Sequence, residues 1–129
     1  MSDLYPYGTD FEPPAPVLRV TIAHSRRRHL RRTVLALLDT GSDVTAIPDF
    51  LIDELQLEPV GWLRVENLAG VGRRQYTYPI RLQLAELTIP RLEILDSQLD
   101  FVVIGRDVLN RFALHLNGPD QTFTVVSDQ

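Results

Sequence analysis

The sequence contains no cysteine and no lysine, and each absence removes whole classes of chemistry. Without cysteine there is no disulfide, no thiolate nucleophile and no cysteine-based zinc site. All 13 basic residues are arginine, so a lysine Schiff base and a P-loop lysine are excluded. His24, His29 and His115 lack the spacing of metal ligands, so no metal site is expected.

Long apolar runs and a strong charge of one sign are also missing. No stretch approaches the roughly 20 apolar residues that a membrane helix needs, and the first residues do not resemble a signal peptide. These absences favour a cytoplasmic location. The net charge of −4 argues against general binding to nucleic acid or membranes. A length of 129 residues predicts one domain with its own core.

Residues 1–16 are rich in proline, with Pro6, Pro13, Pro14 and Pro16 among the nine in the chain. Because proline lacks the N–H that a sheet ladder uses, this segment is predicted to be a free or loosely docked tail. Residues 17–129 then form the domain. Their patterns predict a mainly β fold, closed by one or two short helices.

Two hairpins are predicted from paired apolar runs. Residues 17–22 and 33–38 form the first, with an arginine-rich tip over 25–32. The second covers 62–85 and turns at Leu68–Gly72, where two glycines permit positive φ. Pro79 places its strand at an edge or near a bulge. Short helices are predicted at 48–55 and 107–112, and further strands at 87–89, 92–94, 101–104, 113–116 and 122–126.

The sharpest local feature is the segment in which an apolar strand runs into Asp39, Thr40 and Gly41. Gly41 allows a sharp turn, so that its N–H can face the carboxylate, while Thr40 and Ser42 add hydroxyl groups. An ordinary turn would use the same residue types. An aspartate-glycine-hydroxyl turn also opens the phosphate hairpin of actin-like kinases, but those need a second nucleotide-binding domain for which this chain has no room.

Two further segments follow in order, a glycine-bearing turn at 66–72 and an Ile-Gly-Arg segment within 102–109. Together the three segments resemble the retropepsin-like aspartic proteases, over about residues 17 to 116. The resemblance implies a closed β-barrel with a flap hairpin, and an aspartic endopeptidase that needs no cofactor or metal. Since the chain has one Asp-Thr-Gly, the resemblance also implies a homodimer that acts on a polypeptide substrate.

The resemblance assigns roles to individual residues. Asp39 matches the catalytic aspartate, Thr40 the threonine that locks the two active-site loops together, and Gly41 the glycine whose backbone contacts substrate. Asp43 and Arg106 match a pair that braces the active-site loop within one subunit. The flap and substrate-binding turn corresponds to Leu68, Ala69, Gly70, Val71 and Gly72, and the hydrophobic-glycine loop to Ile104 and Gly105.

Two departures from compact retroviral members stand out. Ser42 replaces the alanine of several of those enzymes, and its hydroxyl is expected to donate to ionised Asp39 and to shift the activity optimum to lower pH. Residues 118–129 extend beyond the end of a compact member, so the last hairpin is a candidate replacement for the terminal strands that build the dimer interface there.

The same residues are compatible with other functions. The fold can persist as a binding or dimerisation module with little or no proteolysis. The arginines of 26–32 could contact nucleic acid, but a solvated hairpin tip is favoured because the rest of the chain is acidic. Asp39 and Asp43 supply too few ligands for Mg²⁺.

Overall fold

The computed structural model describes residues 3–66 and 69–127, which form ten strands and two short helices. In chain order the elements are β1 (Asp3–Pro6), β2 (Val17–His24), β3 (Arg31–Leu38), β4 (Ala46–Pro48), α1 (Asp49–Glu54), β5 (Gly61–Glu66), β6 (Gly72–Leu84), β7 (Leu87–Ser97), β8 (Val102–Ile104), α2 (Arg106–Leu109), β9 (Phe112–Asn117) and β10 (Thr122–Ser127). Over these residues, no helix combines the length and apolarity needed to cross a membrane.

Six strands close into a barrel in the order β2, β3, β8, β4, β7 and β6, because β6 pairs back onto β2. Closure removes the exposed sheet edges that would otherwise invite pairing with other chains. The β5 strand lies outside this ring and pairs with β6. The predicted mainly β fold with a closed barrel is confirmed.

Alternating side chains fill the barrel. Leu18, Val20 and Ile22 of β2 are buried, while the residues between them face outward or lie at the surface. All three residues of β8 are buried, as the continuous apolar run predicted. This short strand runs through the core, so the residues that follow it start from a fixed position.

The helices are short and bury apolar side chains in the core. Pro48 precedes α1, as expected for a helix start, and Leu51 buries its side chain completely. The second helix, α2, covers four residues rather than the predicted 107–112. It ends early because β9 begins at Phe112 and pairs with β10.

The two strands predicted on either side of Pro90 are in fact one strand, β7. Between Ile80 and Leu82 of β6 the pairing register shifts, so that β7 contributes one extra residue there. Pro90 lies in this bulge, where the ladder does not require its missing N–H. Pro79 lies next to the same bulge, as predicted.

The expectation of a free or loosely docked segment is wrong for Asp3–Pro6, which forms β1 and pairs with β10. Tyr5 and Tyr7 pack on the buried ring of Phe123, with ring centroids 5.4 and 6.0 Å away. This aromatic packing compensates for the poor strand propensity of a proline-rich segment. The predicted last hairpin, β9–β10, is confirmed as the rest of this three-stranded sheet.

Candidate active site

Asp39 and Gly105 are neighbours because the strands that precede them are parallel. Leu37 and Leu38 of β3 pair with Val103 and Ile104 of β8, so both strands end at the same edge of the sheet. The backbone N–H of Asp39 donates to the carbonyl of Ile104 at 2.9 Å. Two segments that lie more than sixty residues apart in sequence therefore meet at one point.

The turn after Asp39 directs backbone N–H groups toward it. Gly41 N–H donates to Asp39 Oδ1 at 2.9 Å, and Ser42 N–H donates to the Asp39 carbonyl at 3.1 Å. A Cβ atom at Gly41 would lie only 3.2 Å from Asp39 Oδ1. The close approach of Gly41 to the carboxylate therefore matches what the sequence predicted.

The hydroxyl of Ser42 does not donate to the Asp39 carboxylate, although the sequence predicted that it would. It donates to the carbonyl of Val44 at 3.0 Å, and a hydroxyl has one proton to donate. The expected hydrogen bond to the Asp39 carboxylate is therefore wrong for this conformation. The loop turns back after Ser42 and brings the Val44 carbonyl within reach of the hydroxyl. The expected shift of the activity optimum to lower pH therefore has no support in this hydrogen bonding.

Arg106 clamps the loop from the start of α2. Its guanidinium donates to the Thr40 carbonyl at 2.6 Å and pairs with the carboxylate of Asp43, while its backbone N–H donates to the Ser42 carbonyl at 2.8 Å. The Asp43 side chain is 80% exposed, so the ion pair itself adds little stability. The clamp acts mainly by positioning the backbone of the loop.

Thr45 and Asp107 form a second clamp that the sequence analysis missed. Thr45 is fully buried, and its N–H and Oγ1 donate to the two carboxylate oxygens of Asp107 at 3.0 and 2.8 Å. Thr45 Oγ1 also accepts from Gly105 N–H at 3.1 Å. The signal available in the sequence was that Asp107 directly follows Arg106, a residue already assigned to the active-site loop. From the sequence, Asp107 was predicted only to begin a short helix.

Gly105 lies where the segment between β8 and α2 crosses the loop that follows β3. A Cβ atom there would be 2.9 Å from the Ser42 carbonyl oxygen and 2.9 Å from the Val44 carbonyl carbon. Both contacts are with backbone, which cannot rotate away as a side chain can. The crossing therefore requires glycine for space rather than for backbone conformation.

The three carboxylates of this region have different surroundings. Asp43 faces the Arg106 guanidinium, and Asp107 is bonded to Thr45. Asp39, half-buried, instead accepts from the N–H of Gly41. Among the described residues, Asp39 is thus the one of the three whose carboxylate contacts neither a cation nor a side-chain hydroxyl, which leaves an oxygen free to accept a proton. Within residues 3–66 and 69–127, no three potential histidine, aspartate or glutamate ligands cluster for a metal.

The hairpin formed by β5 and β6 matches the predicted second hairpin. Leu68, at its turn, lies outside the described residues, while Gly70 has a φ of 79° and Val71 is 68% exposed. Trp62 and Tyr76 face each other across the two strands and are 52% and 62% exposed. The opposite face carries Leu63, which is 40% exposed, the less exposed Val65, Gln75 and Thr77, and the exposed Arg73.

Three solved structures have similar folds. EIAV protease in complex with an inhibitor is 18% identical, over 74% of this chain and 86% of its own, with a TM-score of 0.56. The protease of simian foamy virus (mac) is 16% identical, over 74% and 92%, with a TM-score of 0.54. A retropepsin-like aspartic protease from Rickettsia conorii is 9% identical, over 97% and 90%, with a TM-score of 0.64. No family model and no curated protein matches the sequence.

These similarities, together with the barrel and the crossing loops, show that the chain has a retropepsin-like fold. Sequence identities this low establish the fold alone, because one fold can carry many activities. The activity must therefore be argued from the residues of the site.

Proposed function

We propose that this chain is an aspartic endopeptidase that hydrolyses peptide bonds as a homodimer. The observation that carries the proposal is the position of Asp39. It ends a core strand, its backbone is bonded to Ile104, and its carboxylate accepts from Gly41 N–H. The neighbouring carboxylates of Asp43 and Asp107 are engaged by Arg106 and Thr45.

A second copy supplies the second carboxylate, because each chain has one Asp-Thr-Gly. Thr40 is exposed on the same loop, so the two loops can meet across a twofold axis in an isologous contact. Two carboxylates brought close together cannot both ionise and share one proton.

The chemistry follows from this shared proton. The ionised Asp39 takes a proton from a water molecule held between the two carboxylates. The water oxygen attacks the scissile carbonyl, and the protonated Asp39 of the other copy donates toward the carbonyl oxygen. The resulting tetrahedral species collapses with proton transfer to the leaving amine. Neither an acyl-enzyme nor a cofactor takes part.

The β5–β6 hairpin is the candidate flap. An extended polypeptide beneath it would be held by main-chain hydrogen bonds, as an added strand, while side-chain pockets select the sequence. Its less exposed face offers Leu63 and Val65 as apolar contacts, and its turn contains Ala69, Gly70, Val71 and Gly72. This arrangement favours apolar side chains near the cleaved bond.

The direct test is cleavage of a diverse peptide pool from acidic to neutral pH, with and without an active-site-directed aspartic protease inhibitor. Asp39→Asn should lower the rate by about 10²- to 10⁴-fold, the usual contribution of a general acid or base. Asp100→Asn makes the same change at an exposed position outside the site and should leave the rate unchanged.

Sedimentation and thermal unfolding complete the test. The Asp39→Asn protein should sediment as a dimer and unfold at the wild-type temperature, since the substitution removes a charge without changing shape. Full activity in Asp39→Asn would refute the assignment. A wild-type dimer that cuts no peptide would instead identify a binding or dimerisation module on this fold.

A further inference from the structure

Outside the candidate active site, a polar pocket of about 180 Å³ opens on the outer surface of the barrel. It combines residues of β2, β6, the start of β3 and the turn between β2 and β3. We call it the arginine pocket. Its lining consists of Thr21, Ala23, Arg28, Arg31, Arg81 and Gln83.

The strand register places these side chains on one face of the sheet. Ala23 is the direct partner of Arg31 on one side and of Arg81 on the other, so the two arginines flank it with Cα atoms about 10 Å apart. Thr21 is the partner of Gln83. The small side chain of Ala23 therefore forms a floor between two guanidinium groups, with a hydroxyl and an amide beside them.

The arginine pocket has positive charge without a balancing acid. Nearby, Arg27 donates to Gln56, and Arg32 pairs with Glu54. By contrast, no ion pair of Arg28, Arg31 or Arg81 is found within the described residues, and no carboxylate lines the pocket. Cations gathered in this way repel one another, and a bound anion would relieve that repulsion.

We propose that the arginine pocket binds a phosphate group. The guanidinium fork matches the oxygens of phosphate in geometry and charge. The amide of Gln83 is a neutral group that can donate to further oxygens. The hydroxyl of Thr21 shares a hydrogen bond of 3.1 Å with that of Thr33 and can donate to phosphate when Thr33 is the donor of that bond. The chain as a whole has a net charge of −4, so the attraction is local to this pocket rather than a property of the whole surface.

The arginine pocket is remote from the candidate active site. Arg31 begins β3 and Asp39 follows its end, a separation of roughly 25 Å along an extended strand. Binding at the pocket is therefore tested directly, without an activity assay.

Calorimetric titration at low ionic strength tests the proposal with inorganic phosphate and with a short single-stranded oligonucleotide. The double variant Arg31→Gln, Arg81→Gln should weaken binding about tenfold or more, since it removes two charge-assisted donors. Gln83→Glu should do the same by adding a negative charge with almost no change of shape. Arg111→Gln and Gln98→Glu are the matched controls at exposed positions outside the pocket.

Each outcome is informative. Inorganic phosphate that binds as well as the oligonucleotide identifies a site for a free phosphate group. Tighter oligonucleotide binding, with a steep dependence on salt, identifies a phosphodiester chain as the source. Either result supports the proposal if the pocket variants lose binding and the controls keep it. The proposal is overturned if neither probe binds, if Gln83→Glu binds like wild type, or if the controls lose as much as the pocket variants.

Discussion

The loop that carries Asp39 and the β5–β6 hairpin are held in the fold by different means. The loop follows a core strand and is bonded to β8 and α2 through Ile104, Gly105, Arg106 and Asp107. In the described part of the chain, β5 has one neighbouring strand, β6, and the hairpin exposes Trp62, Tyr76 and Val71.

The two regions suit two different tasks of the proposed enzyme, which are to position the catalytic carboxylates and to admit the polypeptide. A general acid and base must be held in productive geometry, and the loop has buried hydrogen bonds that resist displacement. A hairpin held by one ladder can open locally at a lower free energy than the core. Admission of a polypeptide thus does not require the barrel or the Asp39 loop to open.

The largest effect on stability is expected at the crossing of the loops. Gly105→Ala would place a methyl group 2.9 Å from the backbone of Ser42 and Val44, and overpacking of this kind costs about 1–3 kcal/mol. We expect the free energy of unfolding to fall by that amount in chemical denaturation.

Gly118→Ala is the control for that substitution, since a Cβ atom at Gly118 would meet nothing within 4 Å. It should leave the free energy of unfolding close to the wild-type value. Equal effects at Gly105 and Gly118 would show that the loop is not tightly clamped, and the comparison with the hairpin would fail.

A comparable loss is expected when the buried clamp between Thr45 and Asp107 is removed. Thr45→Val keeps the shape of the side chain but leaves Asp107 Oδ1 and the Gly105 N–H without their Thr45 partner. An unsatisfied buried group costs about 1–3 kcal/mol. Thr88→Val, at an exposed position, is the matched control, and denaturant unfolding of both variants measures the difference.

A substitution in the β5–β6 hairpin should affect that hairpin and not the Asp39 loop. Arg74 lies over the Trp62 ring, 3.9 Å from its centroid, a contact worth about 0.5–1 kcal/mol at an exposed site. Arg74→Gln should speed amide hydrogen exchange in β5 and the adjoining part of β6 and leave exchange at Asp39 and Gly105 unchanged. Loop amides that accelerate together with hairpin amides would show that the two regions open as one unit.

The smallest expected effect is on the pH dependence of stability, and it involves a third region, the turn after β2. The buried His24 Nδ1 accepts from the backbone N–H groups of Arg26 and Arg27 at 3.1 and 3.0 Å, so its proton lies on Nε2. Burial, followed by the charges of Arg27 and Arg26, lowers the pKa of His24 below its usual value. Unfolding therefore takes up a proton at mildly acidic pH.

The sign of the pH effect follows from that uptake. His24 contributes its full stabilisation above its unfolded pKa of about 6.5 and loses it as the pH falls toward the lowered folded value. His24→Asn retains a side-chain acceptor but does not titrate. Its unfolding midpoint should depend less on pH below 6.5 than that of wild type, and identical profiles would contradict this assignment.

The parts of the site that sequence reasoning predicted are local in the chain. The contact of Gly41 N–H with Asp39 spans two residues, and the β2–β3 hairpin joins neighbouring apolar runs. Short-range geometry and residue periodicity decide such features. The Arg106–Asp43 pair is long-range, and only the resemblance of three ordered segments brought those two residues together in advance.

The sequence could not predict contacts between distant segments, nor which acceptor a hydroxyl group would choose. Thr45 and Asp107 lie 62 positions apart, and the pairing of β1 with β10 joins the two ends of the described chain. Ser42 had two acceptors within plausible reach, and the direction of the turn selected Val44.

By itself, then, the amino-acid sequence determined that a carboxylate would follow a core strand at a tight turn, because the contact of Gly41 with Asp39 is encoded locally. Tertiary structure decided which groups hold that carboxylate in place and which arginines have no ion pair within the described residues. Both depend on strand register, which sets the side chains that meet across the sheet.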